Sequence, residues 1–165
     1  MSAVILDSGG YSSHMYHPLT LREYAVDLSH SLPALMAKHN ADTIVVTGKS
    51  GMALAFATMM LMPFNLCVVR KRGDGSHGNR IEGPSGHRVS RYVILDDFIS
   101  SGNTVETIRA ELIELAQQSG KDEPEPVAIV EYTKTRSDYC DRGREKYRCL
   151  GNARVPIFGR DGIID

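Results

Sequence analysis

The sequence has no tryptophan, few cysteines and no long apolar run, and the last two shortages each exclude a class of protein. The three cysteines are odd in number and form no CxxC pair, which favours reduced thiols over a disulfide framework or a zinc site. No stretch is long and apolar enough to span a bilayer, and the N-terminus lacks a basic flank followed by an apolar signal core. We therefore expect a soluble, cytoplasmic protein without a membrane partner.

Neither sign of charge is in excess, since the formal net charge is −1. Nucleic acid is accordingly not an expected partner, and any basic surface must be local. No segment is repeated, and 165 residues with 42% hydrophobic composition suffice for one domain over residues 1–165.

Helix and strand patterns alternate through the middle of the chain. Thr20 with Glu23 forms a predicted capping box for the first helix, which Pro33 is expected to kink. Asn103 and Glu106 are the predicted cap of the last helix. The predicted elements are a helix over 20–38, a strand over 42–48, a helix over 51–62, a strand over 65–71, a Gly-rich loop over 72–90, a strand over 91–97, a helix over 103–119, a strand over 127–133 and an irregular segment over 134–165.

Strands separated by helices favour an α/β fold with a doubly wound, mostly parallel sheet, because parallel strands need crossover connections. Ligands of such sheets bind beyond the carboxyl ends of the strands. Three loops rich in glycine and polar residues lie at those predicted ends: 47–51 (TGKSG), 72–90 and 96–104 (DDFISSGNT). We expect these loops to form one site.

The loop after the third predicted strand carries the most specific chemistry. Asp96 and Asp97 are acceptors suited to sugar hydroxyls or to a hydrated Mg²⁺. At a strand-to-helix turn, open backbone amides and the helix dipole favour a phosphate, and nearby hydroxyls add donors. Two aspartates alone more often form a turn or a cap. Here they are followed by Ser100, Ser101, Gly102, Asn103 and Thr104, and together these residues indicate a phosphorylated sugar.

Three stretches resemble one enzyme family, the type I phosphoribosyltransferases. YVILDDFISSGNT (92–104) resembles the family's signature for phosphoribosyl diphosphate (PRPP), with Ser100 and Ser101 in place of threonine and Asn103 in place of the second glycine. VVTGKSGMALA (45–55) resembles its pyrophosphate-binding loop. VVRKRGDGSHGNRIEG (68–83) resembles the flexible loop of its orotate branch, although it lacks that branch's second lysine.

The resemblance implies an enzyme that transfers the phosphoribosyl group of PRPP to a nitrogenous base and releases pyrophosphate, with Mg²⁺ and as a homodimer. It implies a diphosphate site at Thr47, Gly48, Lys49, Ser50 and Gly51 and a 5′-phosphate site at Ser100 to Thr104. It implies a ribose site at Asp96 and Asp97, which would also bind the metal largely through substrate and water. The catalytic roles that it implies belong to Lys71, Arg72, His77 and Asp97.

The acceptor base is less determined by the resemblance. Tyr132 and Lys134 are candidate base contacts, and residues 1–19 and 134–165 are expected to form a hood over a core of about 20–133. Orotate-like and purine bases both remain open. A regulatory protein that senses PRPP or a nucleotide on the same fold is the alternative, since folds carry unrelated functions. The basic loop with its His-Gly pair and the near-neutral net charge favour the enzyme.

Overall fold

The computed structural model describes residues 17–71, 73, 79–96, 101–132, 157–159 and 162–163. The elements in these ranges are α1 (Pro18–His39), β1 (Thr43–Thr47), α2 (Gly48–Met59), β2 (Asn65–Val69), β3 (Ile81–Glu82), β4 (Arg91–Asp96), α3 (Asn103–Gln118), β5 (Glu125–Glu131), β6 (Ile157–Gly159) and β7 (Gly162–Ile163). No helix of the described residues is long and apolar enough to cross a membrane.

All of these strands belong to one sheet with the order β3-β2-β1-β4-β5-β6-β7. The five central strands are parallel, and a short antiparallel strand lies at each end. β1 lies between β2 and β4, with its Val45 level with Cys67 on one side and Ile94 on the other. The predicted α/β class with a mostly parallel sheet is confirmed.

Alternate strand residues face two hydrophobic cores, one on each side of the sheet. On one side, Ile44 and Val46 are buried with residues of α1 and α2. On the other side, Val45 is buried with Val105 and Ile108 of α3. Helices therefore cover both faces, as the doubly wound prediction requires, with α1 and α2 in contact on the first face and α3 on the second.

The start of α1 differs from the prediction. The helix begins at Pro18, and no side chain caps it. Proline suits this position, because its φ already fits a helix and the first amides lack helical partners in any case. Thr20 already lies inside the helix, so the predicted Thr20–Glu23 capping box is wrong. Pro33 also lies inside the helix, which continues to His39.

The starts of α2 and α3 also differ from the predictions. α2 begins at Gly48, immediately after β1, and ends at Met59. α3 begins at Asn103 as predicted. Its N-cap residue is Gly102, at φ +85°, which forms no side-chain hydrogen bond to the helix. The Asn103 cap is therefore wrong. Glycine takes the left-handed position, since it has no Cβ to clash there.

The predicted loop over 72–90 contains a strand. β3 pairs antiparallel with the end of β2, and the Arg70 amide donates to the Arg80 carbonyl at 2.8 Å. β2 and β3 are therefore antiparallel neighbours, so residues 81 and 82 belong to the sheet and not to a loop. Of the rest of the predicted loop, residues 72 and 74–78 lie outside the described residues.

Candidate functional site at the carboxyl edge of the sheet

The carboxyl edge of the sheet contains the point where the chain reverses its direction across the sheet. After β1 the chain passes through α2 to β2, on one side of β1. After β4 it passes through α3 to β5, on the other side. These connections leave a crevice between the ends of β1 and β4, and ligands of open α/β sheets bind at such a point. The predicted loops 47–51 and 96–104 both begin here.

The first wall of this crevice is the N-terminus of α2. Thr47 precedes the helix, yet its hydroxyl donates to the Val69 carbonyl at 2.5 Å and does not cap α2. No acidic residue lies in the first turn of the helix. The first amides of α2 therefore lack both a side-chain acceptor and a neighbouring negative charge, which leaves them available to an anion.

Two glycines allow α2 to begin directly at the end of β1. Gly48 has φ +69°, a left-handed conformation that glycine adopts without strain. A Cβ on Gly51 would lie 3.3 Å from the Cβ of Val46 and 3.4 Å from the carbonyl oxygen of Leu95. A side chain at residue 51 would push the helix away from β1 and β4. Gly51 thus keeps the amides of α2 close to the crevice.

Lys71 brings a full positive charge to the same place. It follows β2, the parallel neighbour of β1, and its side chain is exposed. A Cβ built on Gly48 would lie 3.5 Å from Cε and 3.6 Å from Nζ of Lys71, so the ammonium lies over the first residue of α2. An ammonium beside the positive end of a helix dipole is unfavourable unless an anion binds to both. This arrangement indicates an anion site.

Unlike Lys71, the described arginines between positions 70 and 91 form ion pairs. Within the described residues, each arginine between positions 70 and 91 has a carboxylate partner: Arg70 with Glu82 at 2.5 Å, Arg80 with Glu111 and at 3.9 Å with Glu114, Arg88 with Asp122 at 2.9 Å, and Arg91 with Glu125. The described arginines of this segment therefore form ion pairs within the protein, whereas Lys49 and Lys71 form none among the described residues.

The second wall is the start of α3, beside the end of β4. Asp96 ends the strand and is 7% exposed, while Ser101 and Gly102 lead into the helix. The Ser101 hydroxyl accepts a long hydrogen bond of 3.4 Å from the Asn103 amide. Gly102 forms no side-chain cap, so the crevice has a second helix N-terminus on this side, although the first turn of α3 contains the acidic Glu106. Asp97 and Ser100 lie outside the described residues.

Glu131 is a site residue that the sequence reasoning missed. It ends β5 as Asp96 ends β4, and the two residues are register partners on neighbouring strands. Glu131 is completely buried, so two carboxylates lie side by side behind the crevice. The only sequence signal was an acidic residue at the end of an apolar strand pattern, and that signal lacks meaning until the strand order is known.

The remaining predicted site residues are only partly described. Tyr132 is 2% exposed and lies in the core shared with α1, with its ring centroid 5.7 Å from that of Tyr24. Thr104, in the first turn of α3, is half-buried, and Ser50, in the first turn of α2, is half-buried as well. Arg72, His77 and Lys134 lie outside the described residues.

Comparison with known proteins identifies the fold. No protein-family model and no curated protein matches the sequence. Among solved structures, the UMP synthase of Leishmania donovani matches with a TM-score of 0.59 at 21% identity, over 95% of this chain and 32% of that one. The chain thus spans about a third of the Leishmania protein.

Two phosphoribosyltransferases of known structure match over most of both chains. The adenine phosphoribosyltransferase of Saccharomyces cerevisiae, complexed with an imino-altritol bisphosphate and adenine, has a TM-score of 0.58 at 17% identity, over 92% of this chain and 84% of that one. The orotate phosphoribosyltransferase of Mycobacterium tuberculosis H37Rv, in complex with PRPP, has a TM-score of 0.56 at 18% identity, over 92% and 78%. The chain therefore has the fold of these proteins.

Proposed function

We propose that the chain is a phosphoribosyltransferase that moves the phosphoribosyl group of PRPP to a nitrogenous base and releases pyrophosphate. The observation that carries this proposal is the Lys71 ammonium over the uncapped start of α2, beside the crevice. PRPP has phosphates at both ends of a ribose, and the crevice has an open helix N-terminus on each side. The solved complexes of this fold with PRPP and with adenine support the same function.

In the proposed complex, the diphosphate lies on residues 47–51 and the 5′-phosphate on residues 100–104. Asp96 and Asp97 accept hydrogen bonds from the ribose hydroxyls between them. In this placement the reactive carbon of the ribose lies over the end of β1, on the side of the crevice that carries Lys71.

The reaction replaces one bond at the anomeric carbon. The bond to the diphosphate oxygen breaks, the base nitrogen supplies the electron pair of the new bond, and the base loses a proton. Negative charge grows on the departing diphosphate while positive charge grows on the ribose. In this proposal Lys71 and the α2 amides bind the diphosphate, and because its charge grows as the bond breaks they favour the transition state over the bound substrate. We propose that Arg72 and His77 add donors when the loop that follows Lys71 closes over the diphosphate and excludes water.

We propose that a magnesium ion takes part in the reaction and is held mainly by the substrate. The described residues contain no cluster of three or more His, Cys, Asp or Glu side chains that could hold a metal ion. Mg²⁺ typically keeps several waters and binds through one or two carboxylates and phosphate oxygens. Asp96 and Asp97 would hold it largely through substrate and water. When bound, the ion would neutralise charge on the diphosphate.

We propose an orotate-like or purine acceptor. With only 2% of its surface exposed, Tyr132 offers little area to a base, so its role would be to support the base site from behind. The direct contacts are then assigned to the predicted hood, residues 1–19 and 134–165, which includes Lys134.

We also propose that the protein is a homodimer. The end of α2 and the turn after it carry exposed apolar side chains: Phe56 at 52%, Met59 at 37%, Met60 at 86% and Leu61 at 53%. Adjacent exposed apolar side chains of this size mark protein interaction surfaces. Sedimentation of the Met60→Asp variant tests the proposal, because a charge at the most exposed position should shift a dimer towards monomer. An unchanged dimer would place the interface elsewhere.

The function is tested by a screen of purine and pyrimidine bases with PRPP and Mg²⁺, scored by pyrophosphate release. We expect release with at least one base, a strong loss in Lys71→Ala, and no loss in Lys38→Ala, which removes an exposed lysine of α1. Tight PRPP binding without release for any base would support the sensor alternative. No PRPP binding at all would exclude both the transferase and a sensor of PRPP.

A further inference from the structure

A second concave site lies on the α3 face of the sheet, at the edge opposite the crevice. α3 runs from the carboxyl edge to the amino edge, with its closest strand contacts to β1. α3 covers part of this face: Cys67 and Val69 of β2 are buried with residues of α3, whereas Ile81 of β3 is only partly buried. A cavity of about 530 Å³ therefore remains between the C-terminal half of α3 and the segment 83–89.

The floor of this cavity is apolar. It is formed by Cys67, Ile81, Val89, Leu112 and Ala116. Small-molecule sites typically have volumes of about 300–1,000 Å³ and apolar linings with a few polar groups, so this cavity has a suitable size and lining.

The rim of the cavity carries a positive charge that the protein does not neutralise. Arg88 is paired with Asp122, but this pair is highly exposed and therefore weak, so a ligand can replace Asp122. Lys121 is exposed and has no ion pair among the described residues. The rim therefore favours a ligand with a negative group.

His87, which also lines the cavity, forms a hydrogen bond within the protein. Thr43 donates its hydroxyl proton to Asp42 at 2.5 Å, because a carboxylate can only accept. His87 Nε2, 2.7 Å from the same hydroxyl oxygen, must then be the donor of that contact. His87 thus anchors the segment 83–89 to the sheet and stabilises one wall of the cavity.

We propose that this cavity binds a small molecule with a ring-sized apolar body and one anionic group. The apolar body lies on Leu112 and Ala116, and the anion lies at the rim near Lys121 and Arg88. The site is separate from the proposed PRPP site and does not depend on the proposed reaction.

The probe for this site is anilinonaphthalene sulfonate, an apolar aromatic anion whose fluorescence rises on binding. We expect saturable binding at one site of the native protein, and loss of this binding in Ala116→Phe, which fills the cavity. If Ala116→Phe does not fold, Ser119→Trp, at the exposed rim, replaces it. Unchanged probe affinity in a folded cavity-filling variant would overturn the proposal.

The charge preference has its own matched pair of variants. Lys121→Glu reverses a charge at the rim and should weaken binding of the anionic probe about three- to tenfold. Lys38→Glu reverses an exposed charge on α1 and should leave it unchanged. Uncharged N-phenylnaphthylamine should lose affinity in Ala116→Phe and keep it in Lys121→Glu. Equal effects of both lysine variants on the anionic probe would contradict the rim site.

Two further outcomes would assign the probe or the cavity elsewhere. Binding that Met60→Asp removes and Ala116→Phe retains would place the probe on the apolar surface of α2. A shift of Ala116→Phe towards monomer in sedimentation would make the cavity an interface between two copies of the chain. Either result would overturn the small-molecule proposal.

Cys67 provides an independent readout at the floor of the cavity. It is 2% exposed, and burial raises the pKa of its thiol to about 11, so its reaction with a small maleimide should be slow. In a Cys140→Ser, Cys149→Ser background, saturating probe should slow this reaction further. An unchanged rate would show that the probe does not occupy the cavity.

Discussion

The two edges of the sheet use their polar residues in opposite ways. At the amino edge, the Asp42 carboxylate accepts hydrogen bonds from the Thr43 hydroxyl and from the amides of Ser90 and Arg91. At the carboxyl edge, α2 and α3 begin without side-chain caps. Donors are satisfied within the protein at one edge and left open at the other. We therefore expect substitutions at the amino edge to change stability and those at the carboxyl edge to change function.

Charged residues show the same division. Arg70, Arg80 and Arg91 pair with glutamates, and these ion pairs hold β3 and the start of β4 in place. Lys71, two residues beyond β2, lies instead beside the start of α2. Along this segment, the cations that lie near a carboxylate stabilise the fold, and Lys71 remains available to a ligand.

The largest effect is expected from Lys71→Ala. In the proposed reaction Lys71 contacts charge that grows on the diphosphate only as the bond breaks, so its loss should depress turnover about a hundredfold to a thousandfold and PRPP affinity much less. The measurement is turnover with an accepted base beside calorimetric PRPP affinity. His77→Ala should show the same division between rate and affinity. Equal losses of rate and affinity would mean that these residues contribute only to binding.

The next effect is expected from Asp96→Asn combined with Asp97→Asn. The double variant keeps side-chain volume but removes two charged acceptors, and PRPP affinity should fall about a hundredfold or more. Calorimetric titration of the folded variant measures this fall. Asp42→Asn is the matched control at the amino edge and should bind PRPP as the native protein does. Unchanged affinity in the double variant would remove the ribose assignment.

The strands and the loops of the carboxyl edge could be predicted from the sequence because their signals are local. β1, TIVVT, is buried at every residue, as its β-branched run predicts, and its end is marked by glycine. The DDFISSGNT stretch could be placed at a strand end for the same reason. These local patterns, with the alternation of helices, sufficed for the fold class.

Features that depend on the rest of the fold could not be predicted. β3 has two residues, and it exists because Val68 and Val69 offer an edge with which to pair. The partnership of Asp96 and Glu131 requires that β4 and β5 be neighbours, which no local pattern states. Similarly, the sequence predicts that Lys71 lies near the site, but it does not predict that the side chain lies over Gly48.

A moderate effect on stability is expected from Asp42→Ala at the amino edge. Two backbone amides and the Thr43 hydroxyl would lose their acceptor, which should lower the free energy of unfolding by about 2 kcal/mol. Urea denaturation measures the change. Asp122→Ala is the control, because it removes a carboxylate from an exposed ion pair and should have little effect. A change in PRPP affinity in folded Asp42→Ala would show that the two edges are not independent.

The smallest effect is expected at His39, also at the amino edge. Its Nε2 is buried without a hydrogen-bond partner among the described residues, and its ring lies edge-on to Phe158 at 6.0 Å. Burial lowers the pKa of His39 from its ordinary 6.5, and the charges of Lys38 and Arg91 lower it further. The folded protein therefore takes up this proton less readily than the unfolded chain does.

The sign of the pH dependence follows from that difference. Because the pKa is lower in the folded state, the contribution of neutral His39 to stability is complete above the unfolded value of 6.5 and is lost as the pH falls below it. Urea unfolding from about pH 8 to about pH 5, the range in which histidine titrates, measures this loss. His39→Gln cannot titrate, so its stability should fall less over the acidic part of that range than the stability of the native protein. The difference should be small, because the ring is only half-buried and water screens its charge. If the free energies of unfolding of the two proteins fall equally with pH, the folded protein binds the proton on His39 without loss of stability.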